Sequence, residues 1–420
     1  MHTTENTALT NLFARARKAS ITLGELDSAE VDRTLLDIAE RIEIAIPEIL
    51  KANEADLAAM AADNPMRDRL ALSRDRLEAI AADMRNVAAL PSPLGVELSN
   101  VKRPNGMVIR KVTVPFGVIG VIYEARPNVT FDVFSLCFKA GSACILKGGH
   151  EAEATNAVAV DIIRRVLEER SLNPDAAILL PSYHEAVKAL LEARDYVDLI
   201  IPRGSRRLID FVRDNARVPV IETGAGVCHT YFHSSGDIAT GRDIIFNAKT
   251  RRVSVCNALD CLIIDRERLS VLPALCYHLS DRNVRIYADD EAYAALEGAY
   301  PFLSHASAED FGREWLDYKM TVKTVENIEE ALEYIAAHGS RHSECIVAEN
   351  RDAVARFLRS VDAACVYANV STAFTDGAQF GFGAEIGIST QKLHARGPMA
   401  LPELTTYKYL VTGAGQTREP

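Results

Sequence analysis

The feature that most constrains the fold is a regular alternation of short apolar segments and amphipathic segments, which begins at Gly117. Apolar runs of strand length that alternate with helical patterns predict βαβ units and a mostly parallel sheet. The first series predicts strands at 117–123, 143–147, 176–180, 197–201 and 218–221, with helices at 130–140, 151–170, 184–193 and 205–215. A second series begins near Leu259 and continues to residue 367. Two such series that meet near residue 250 predict an α/β protein with two domains and a cleft at their junction.

Two parts of the chain outside these series have different patterns. Residues 27–90 place apolar side chains at helical spacing, and Pro47 is expected to divide the first of these helices. The turn signal Pro104-Asn105-Gly106 predicts a β-hairpin over residues 101–115. The tail Thr405–Thr412 alternates like an exposed strand, which we expect to pair with another subunit. The hairpin and the tail therefore predict a small assembly element.

Composition excludes several classes of protein. Of the 420 residues, 48% are hydrophobic and 25% are charged, which is typical of globular domains and not of disordered or fibrous chains. The formal net charge of −11 disfavours nucleic acid as a partner. No apolar run approaches the roughly 18 residues of a membrane span, and the N-terminus lacks the uninterrupted apolar region of a signal peptide. We therefore expect a cytoplasmic protein that binds neither nucleic acid nor membrane.

The sequence contains eight cysteines, any of which could be reactive. A chain of this size in a reducing compartment does not need disulfides, and no Cys-x-x-Cys spacing indicates a zinc ribbon. Cys256 differs from the others because Lys249, Arg251 and Arg252 precede it, and positive charge stabilises the nucleophilic thiolate. Most of the other cysteines lie in apolar segments typical of a core. Cys256 is therefore the first candidate nucleophile.

Cys228 is the rival candidate, because His229 follows it and an imidazole can activate a thiol. Adjacent residues of a strand point to opposite faces, however, so adjacency argues against this pairing. A structural metal site at the same two residues lacks a third and a fourth ligand at suitable spacing. The sequence thus predicts no metal site.

The signals for phosphate binding are incomplete. The dinucleotide fingerprint Gly-x-Gly-x-x-Gly between a strand and a helix is absent, and residues 381–387 are interpreted as a flexible loop. Arg203-Gly204-Ser205-Arg206 follows a predicted strand and opens a helix, where backbone N–H groups suit a pyrophosphate; an ordinary serine-capped helix is the alternative. Lys147 ends a strand before Gly148-Gly149, which suits contact with a ribose or its 2′-phosphate; a solvated lysine is the alternative.

Seven stretches, in this order along the chain, carry a family resemblance: Arg103–Gly106, Val114–Thr130, Ile145–Gly149, Pro202–Ser205, Val255–Leu259, Gly339–Glu344 and Ser389–Met399. On these residues the chain resembles the aldehyde dehydrogenase superfamily, and more closely its γ-glutamyl phosphate reductase (glutamate-5-semialdehyde dehydrogenase) family. The resemblance implies an aldehyde dehydrogenase-like fold of two Rossmann-like α/β domains with a small β oligomerisation element. It implies a cofactor-binding domain from residues 1–100 and 116–250, a catalytic domain from 251–395, and an oligomerisation hairpin and C-terminal strand from 101–115 and 400–420.

The same resemblance implies roles for individual residues. Cys256 corresponds to the nucleophile, and Asn128 corresponds to the asparagine of the oxyanion hole. The implied cofactor-binding residues are Lys147 for the adenosine ribose, Gly204 and Ser205 for the pyrophosphate, and Glu314 for the nicotinamide ribose. Val253 departs from the reductase pattern, which usually has proline there, so the approach to Cys256 is expected to differ in detail.

The implied activity is the NADPH-dependent reduction of L-glutamyl 5-phosphate to L-glutamate 5-semialdehyde and phosphate, through a thioacyl intermediate on Cys256, in proline biosynthesis. This substrate carries a phosphate and an α-carboxylate, so its pocket needs cations; the candidates are Arg126, Arg252 and Arg396, with Lys392 behind them. Lys147 favours NADPH, because NADP enzymes need positive charge near the 2′-phosphate. The resemblance further implies a homo-oligomer and contact with glutamate 5-kinase.

Two other functions remain open from the sequence. A hydrolytic, NAD-dependent aldehyde dehydrogenase is favoured by Glu222, which occupies the position of the general base in the hydrolytic enzymes of the superfamily. A reductase must keep water from its thioester, so under the reductase hypothesis Glu222 is turned away, protonated or otherwise occupied. The other alternative is a non-catalytic protein that keeps the fold for binding, and the combination of Cys256, Asn128 and Lys147 argues against it.

Overall fold

A computed structural model describes residues 2–61, 64, 67–124 and 126–418 of the chain. The chain divides into two compact units. The first unit comprises residues 1–223, 381–387 and 399–420, and the second unit comprises residues 224–380 and 388–398. Each unit is therefore assembled from segments that are distant in the sequence.

Helices and strands alternate through most of the described chain. The helices are α1 His2–Leu23, α2 Ser28–Ile44, α3 Ile46–Ala59, α4 Arg67–Leu70, α5 Arg74–Ala89, α6 Asn128–Lys139, α7 Glu153–Glu169, α8 His184–Glu192, α9 Arg206–Asn215, α10 Ile238–Thr250, α11 Leu272–Cys276, α12 Asp290–Leu296, α13 Ile328–His338 and α14 Arg351–Ser360. The strands are β1 Glu97–Lys102, β2 Val108–Pro115, β3 Val118–Tyr123, β4 Ala143–Lys147, β5 Ala177–Leu179, β6 Leu199–Arg203, β7 Cys228–Phe232, β8 Leu259–Asp265, β9 Arg285–Ala288, β10 Leu303–His305, β11 Lys319–Val325, β12 Ser343–Val347, β13 Cys365–Ala368, β14 Ile388–Ser389, β15 Gly397–Pro398 and β16 Thr405–Thr412. None of the described helices is long and apolar enough to cross a lipid bilayer.

In the first unit, β5, β4, β3 and β6 form a parallel sheet in that order. Every residue of β3 and β4 is buried, as expected for parallel strands that are covered by helices on both faces. The chain passes from β3 to β4 and β5 on one side and then returns to β6 on the other side of β3. The strand order therefore reverses between β3 and β6. Open α/β sheets bind ligands beyond the carboxyl ends of their strands at such a reversal.

In the second unit, seven parallel strands lie in the order β10-β9-β11-β8-β7-β12-β13. All residues of β8 are buried, and successive residues pack on opposite faces of the sheet. Leu262 and Ile264 join an apolar cluster with residues of α10, α11 and α12. Cys261 and Ile263 pack instead with residues of α13 and α14. This division follows from the two-residue period of a strand, and it covers the sheet on both faces.

A small antiparallel sheet belongs to the first unit. The predicted hairpin is confirmed, because β1 pairs with β2 across the turn at Gly106. The C-terminal strand β16 pairs along its full length with β2 of its own chain, from Thr405 opposite Pro115 to Thr412 opposite Val108. One edge of this tail is therefore paired within its own chain, and the expected pairing with another subunit stays a prediction for its other edge. Tyr407 and Tyr409 of β16 are nevertheless exposed, as is every residue of β1.

Most predicted elements are confirmed, including the division of the helix at Pro47 between α2 and α3. The predicted strand at 218–221 is wrong, because only an isolated bridge between Ile200 and Val220 forms there. Pro219 has no N–H to donate to a ladder, which explains why this segment does not continue the sheet. The next true strand is β7, which sequence reasoning missed because it contains polar residues that are buried.

The expected boundary near residue 250 also differs from the structure. The chain passes from the first unit to the second unit between Thr223 and Gly224, because β7 and α10 belong to the second unit. The assignment of cofactor-binding, catalytic and assembly roles to parts of the chain stays a prediction.

Candidate active site

One of the eight cysteines differs from the others in its exposure to solvent, and all eight lie in the described part of the chain without forming a disulfide. Cys256 is half-buried, whereas the other seven are buried. Burial raises the pKa of four of these thiols to about 12, namely Cys137, Cys261, Cys276 and Cys345. Burial also raises the pKa of Cys144 and of Cys228 well above the usual value. These six thiols stay protonated at neutral pH, so Cys256 is the best placed to react.

The backbone beneath Cys256 is held by close packing in the second unit. Cys256 lies between α10 and β8, just before the amino end of β8. Gly226 packs against it so closely that a Cβ there would overlap the Cys256 carbonyl group. The Gly226 N–H donates to Glu314 Oε1 at 2.9 Å, and the Val227 N–H donates to Ser340 Oγ at 2.8 Å. These bonds fix the segment on which the Cys256 peptide rests.

Glu314 therefore has a structural contact that the sequence did not indicate. The resemblance implies that its carboxylate binds the nicotinamide ribose, and the structure places one carboxylate oxygen on the Gly226 amide. In the same loop, the Trp315 N–H donates to Asp260 Oδ1 at 3.0 Å. The Glu314 side chain is thus held beside the segment that supports Cys256.

A buried polar cluster lies below the Cys256 loop. The Cys228 thiol donates to the Cys256 carbonyl oxygen at 3.2 Å, and its sulfur lies 3.7 Å from His342 Nδ1. His229 instead contacts Glu344, with Nδ1 2.8 Å from Oε2. The prediction that Cys228 does not pair with its neighbour His229 is thereby confirmed. Burial lowers the pKa of His342 to about 4, so this imidazole is neutral at physiological pH.

Two of the cations expected near Cys256 differ in their burial. Lys249 is fully buried, and its ammonium donates to the Leu259 carbonyl at 2.9 Å and lies 3.9 Å from Asp260 Oδ1. Its ammonium thus contacts the start of β8, and its expected role in stabilising the Cys256 thiolate stays a prediction. Burial lowers the pKa of Lys249 to about 8 and raises that of Asp260 to about 7. Arg252, by contrast, is exposed to solvent.

The other substrate-binding candidates lie in both units. Arg396 and Lys392 of the second unit share one carboxylate, since Nη2 and Nζ lie 2.9 Å and 2.8 Å from Asp362. The Lys392 ammonium, followed by the Arg396 guanidinium, lowers the pKa of Asp362. Arg126 is half-buried in the first unit, between β3 and α6. The three predicted arginines therefore do not form one cluster within either unit.

The first unit places its candidate residues beyond the carboxyl ends of neighbouring parallel strands. Asn128 is the first residue of α6, which follows β3, and its Nδ2 donates to Asp132 Oδ2 at 2.9 Å. Burial raises the pKa of Asp132 to about 6. Lys147 ends β4, and its ammonium donates to the Gly148 carbonyl at 2.8 Å. Burial lowers the pKa of this lysine.

The Gly204–Ser205 turn begins α9 at the carboxyl end of β6. Ser205 caps the helix, because its Oγ accepts from the Leu208 N–H at 3.3 Å. Glu124, which follows β3, places its carboxylate on the same turn: Oε2 accepts from the Ser205 N–H at 2.7 Å, and Oε1 accepts from the Ser205 hydroxyl at 2.9 Å. The turn thus already binds an anion, so its donors fit the diphosphate of a dinucleotide.

Glu124 is the residue of this site that sequence reasoning missed. The signal that could have identified Glu124 was its position directly after β3, a strand that neighbours β6 in a parallel sheet. The carboxyl ends of adjacent parallel strands meet at one edge, but adjacency of β3 and β6 is not readable from the sequence.

Glu222 is engaged in an ion pair within the first unit. Arg213 of α9 places Nη1 3.5 Å from Glu222 Oε2, and the Glu222 side chain is about a quarter exposed. The pair supports the expectation that this carboxylate is occupied.

Two comparisons with known proteins extend over nearly the whole chain. The chain is 61% identical to the γ-glutamyl phosphate reductase of Parabacteroides distasonis, over 97% of this chain and 99% of that protein. The crystal structure of γ-glutamyl phosphate reductase from Thermotoga maritima is 37% identical and has a TM-score of 0.94, over 98% of this chain and 100% of that one.

A more distant likeness concerns the fold alone. An acetylating aldehyde dehydrogenase from Geobacillus thermoglucosidasius is 16% identical, with a TM-score of 0.69 over 99% of this chain and 98% of that one. No protein-family model matches the chain. The aldehyde dehydrogenase-like α/β fold that the resemblance implied is confirmed.

Proposed function

The chain belongs to the γ-glutamyl phosphate reductase family, and on that basis we propose that it reduces L-glutamyl 5-phosphate to L-glutamate 5-semialdehyde and phosphate with NADPH, a step of proline biosynthesis. The observation that carries the mechanism is that Cys256 alone among the eight cysteines is not buried. An acyl-phosphate reductase of this kind needs one accessible thiol that forms a covalent acyl intermediate.

The first chemical step acylates Cys256. The thiolate attacks the acyl carbon of L-glutamyl 5-phosphate, a C–S bond forms, and the C–O bond to phosphate breaks. Inorganic phosphate leaves with the bonding electron pair, and a thioester remains on the enzyme. The fixed Gly226–Cys256 packing supports this step, because a nucleophile held in one position loses little entropy when it attacks.

The second step reduces the thioester. The nicotinamide cofactor, when bound, supplies a hydride to the thioester carbon. The Asn128 side-chain amide and the Cys256 N–H are proposed to hold the oxyanion that develops on the thiohemiacetal. Removal of one such donor typically costs about 3–4 kcal/mol in transition-state stabilisation. Collapse of the thiohemiacetal breaks the C–S bond, releases the aldehyde and returns the thiolate.

Residues of the first unit are proposed to hold the cofactor. The Ser205 N–H and hydroxyl already bind a carboxylate, which supports a role in binding the diphosphate. Gly148 has no room for a Cβ beside Asn156, so the backbone after Lys147 is closely packed. The Lys147 cation supports NADPH over NADH, because the 2′-phosphate needs a positive partner. Glu314 is proposed for the nicotinamide ribose.

The substrate's anionic groups need partners as well. We assign Arg126, Arg252 and Arg396 to its phosphate and α-carboxylate. The Asp362 carboxylate already neutralises part of the Arg396 charge. Arg252 is the most accessible of the three, since it is exposed and the described residues place no acid in contact with it.

The hydrolytic alternative has less support in the structure. A general base must activate a water, whereas the Glu222 carboxylate faces the Arg213 guanidinium.

Assembly is the remaining part of the proposal. We propose a cytoplasmic homo-oligomer that uses the sheet of β1, β2 and β16, whose outer strands expose Leu98, Tyr407 and Tyr409. Exposed apolar side chains in one sheet are typical of an interface. Contact with glutamate 5-kinase is proposed because that enzyme would supply the acyl phosphate.

The deciding experiment runs the reaction in reverse. L-glutamate 5-semialdehyde and NADP⁺ are expected to yield NADPH only when phosphate is present, and Cys256→Ala is expected to abolish the activity. Cys276→Ala is the matched control, because Cys276 is buried in the second unit. NADPH formation without phosphate would instead indicate a hydrolytic dehydrogenase, and full activity of Cys256→Ala would refute the mechanism.

A further inference from the structure

The carboxylate of Glu124 occupies the N-terminus of α9. Its two oxygens accept from the N–H and from the hydroxyl of Ser205, at 2.7 Å and 2.9 Å. The Glu124 N–H also donates to the Arg203 carbonyl at 3.2 Å. The backbone bond fixes Glu124 beside the last residue of β6, and the side-chain bonds direct its charge onto the turn that follows.

This position coincides with the reversal of strand order in the first unit. Glu124 follows β3 and Ser205 follows β6, and these two strands are neighbours. The carboxylate also fills the space above Gly204, since a Cβ on that glycine would lie 2.6 Å from Glu124 Oε2. Glu124 therefore contacts both residues assigned to the diphosphate.

Two anions cannot use these donors together. The Ser205 N–H has one hydrogen, and it is already donated to Glu124. A diphosphate brought to the same donors would face the carboxylate at contact distance, where like charges repel. Binding through this turn therefore requires the Glu124 carboxylate to leave it.

We propose that Glu124 is an internal competitor for the cofactor's diphosphate, which lowers the affinity of the enzyme for the cofactor. This inference rests on the proposed function, because it assumes that the Gly204–Ser205 turn binds a dinucleotide. Glu124 then does not bind the cofactor. Its side chain instead lowers the affinity of the turn for the diphosphate.

The competition predicts tighter binding when the carboxylate is removed. A hydrogen bond to a charged group is worth more than a neutral one, and the free enzyme loses two such bonds when the cofactor enters. We expect Glu124→Ala to lower the Kd of NADP⁺ about tenfold, which corresponds to one net bond of this kind. Glu124→Gln keeps the shape but not the charge, so its Kd is expected to lie between those of the wild type and Glu124→Ala.

The experiment measures binding by isothermal titration calorimetry, with NADP⁺ and with inorganic pyrophosphate as separate probes. Pyrophosphate tests the turn alone, so its affinity is expected to rise in both Glu124 variants. Glu185→Ala is the matched control, because Glu185 is an exposed acid in the first turn of α8 in the same unit. Its Kd values are expected to equal those of the wild type.

An unchanged or raised Kd in Glu124→Ala and Glu124→Gln would overturn the inference, since Glu124 would then be irrelevant to binding or would itself bind the cofactor. Thermal unfolding of each variant verifies that it is folded, and Glu124→Gln serves if the alanine variant is not. Failure of the proposed function has a different signature: the wild type and every variant would bind neither NADP⁺ nor NADPH.

Discussion

The two units use opposite edges of their parallel sheets. In the first unit, Asn128, Lys147 and Ser205 follow or end strands, so they lie at the carboxyl edge. In the second unit, Cys256 and Glu314 precede β8 and β11, so they lie at the amino edge. The carboxyl edge is followed by helix N-termini, whose N–H groups attract anions. The amino edge offers loops held by packing, which suit a nucleophile that needs one position. Under the proposed roles, the turn that binds the diphosphate therefore lies at a carboxyl edge, and the nucleophile lies at an amino edge.

Gly226→Ala is expected to have the largest effect, which is a loss of catalytic activity. The new Cβ would overlap the Cys256 carbonyl and displace the nucleophile. A misplacement of about 1 Å can cost on the order of 100-fold in rate, so kcat/KM in the reverse reaction should fall by at least that much. The Kd of inorganic pyrophosphate, which reports on the Ser205 turn of the first unit, should stay unchanged.

Gly413→Ala is the control for this substitution, because a Cβ there meets only the flexible end of Gln416. A Gly226→Ala enzyme with normal kcat/KM would show that the packing does not position Cys256.

Lys147→Met tests the proposed binding of the cofactor by the first unit. Loss of the ammonium should raise the Kd of NADP⁺ about tenfold, because a phosphate loses a charged partner. Alkylation of Cys256 by iodoacetamide should keep its rate, since Lys147 belongs to the first unit. Lys188→Met, at an exposed position of α8, is the control. Equal losses of NADP⁺ and NAD⁺ affinity would contradict a role for Lys147 at the 2′-phosphate.

Asp132→Asn is expected to have a smaller effect, which concerns the pH dependence of the free energy of unfolding. Burial raises the pKa of Asp132 from 3.8 to about 6 in the folded protein, so the folded state binds more protons than the unfolded state between these values. The contribution of Asp132 to the free energy of unfolding is therefore greatest at low pH, and it declines as the pH rises through this range. The stability of Asp132→Asn relative to the wild type should rise by about 1 kcal/mol between pH 5 and 7.

Urea unfolding at several pH values measures this difference. Asp195→Asn, at an exposed position of the same unit, should show no such trend. A parallel pH dependence of Asp132→Asn and the wild type would mean that Asp132 titrates normally.

Glu222→Gln should have the smallest effect. Because Glu222 faces Arg213, it should contribute little to the attack of water on the thioester. Hydrolysis of the acyl enzyme without cofactor should change less than about twofold, within the range of an exposed ion pair. A large fall in hydrolysis would identify Glu222 as an active base and revive the hydrolytic alternative.

Local patterns predicted much of the fold correctly. The alternation after Gly117 marked β3, β4 and their helices, because burial on both faces makes parallel strands continuously apolar. The same rule failed at β7, where His229 and Thr230 are buried. His229 is accommodated there because Glu344, distant in the sequence, accepts its hydrogen bonds. A strand that contains polar residues is predicted to be exposed unless the distant residue that accepts their hydrogen bonds is known.

The sequence by itself determined the α/β class, the hairpin, and Cys256 as the candidate nucleophile, because these depend on periodicity and on neighbours along the chain. Only the tertiary structure decided that Glu124 occupies the turn at Ser205, that Gly226 supports Cys256, and that Asp362 pairs with Arg396. Each of these contacts joins residues far apart in the sequence. Strand order and loop packing bring such residues together, and neither follows from local hydrogen bonding or hydrophobic period.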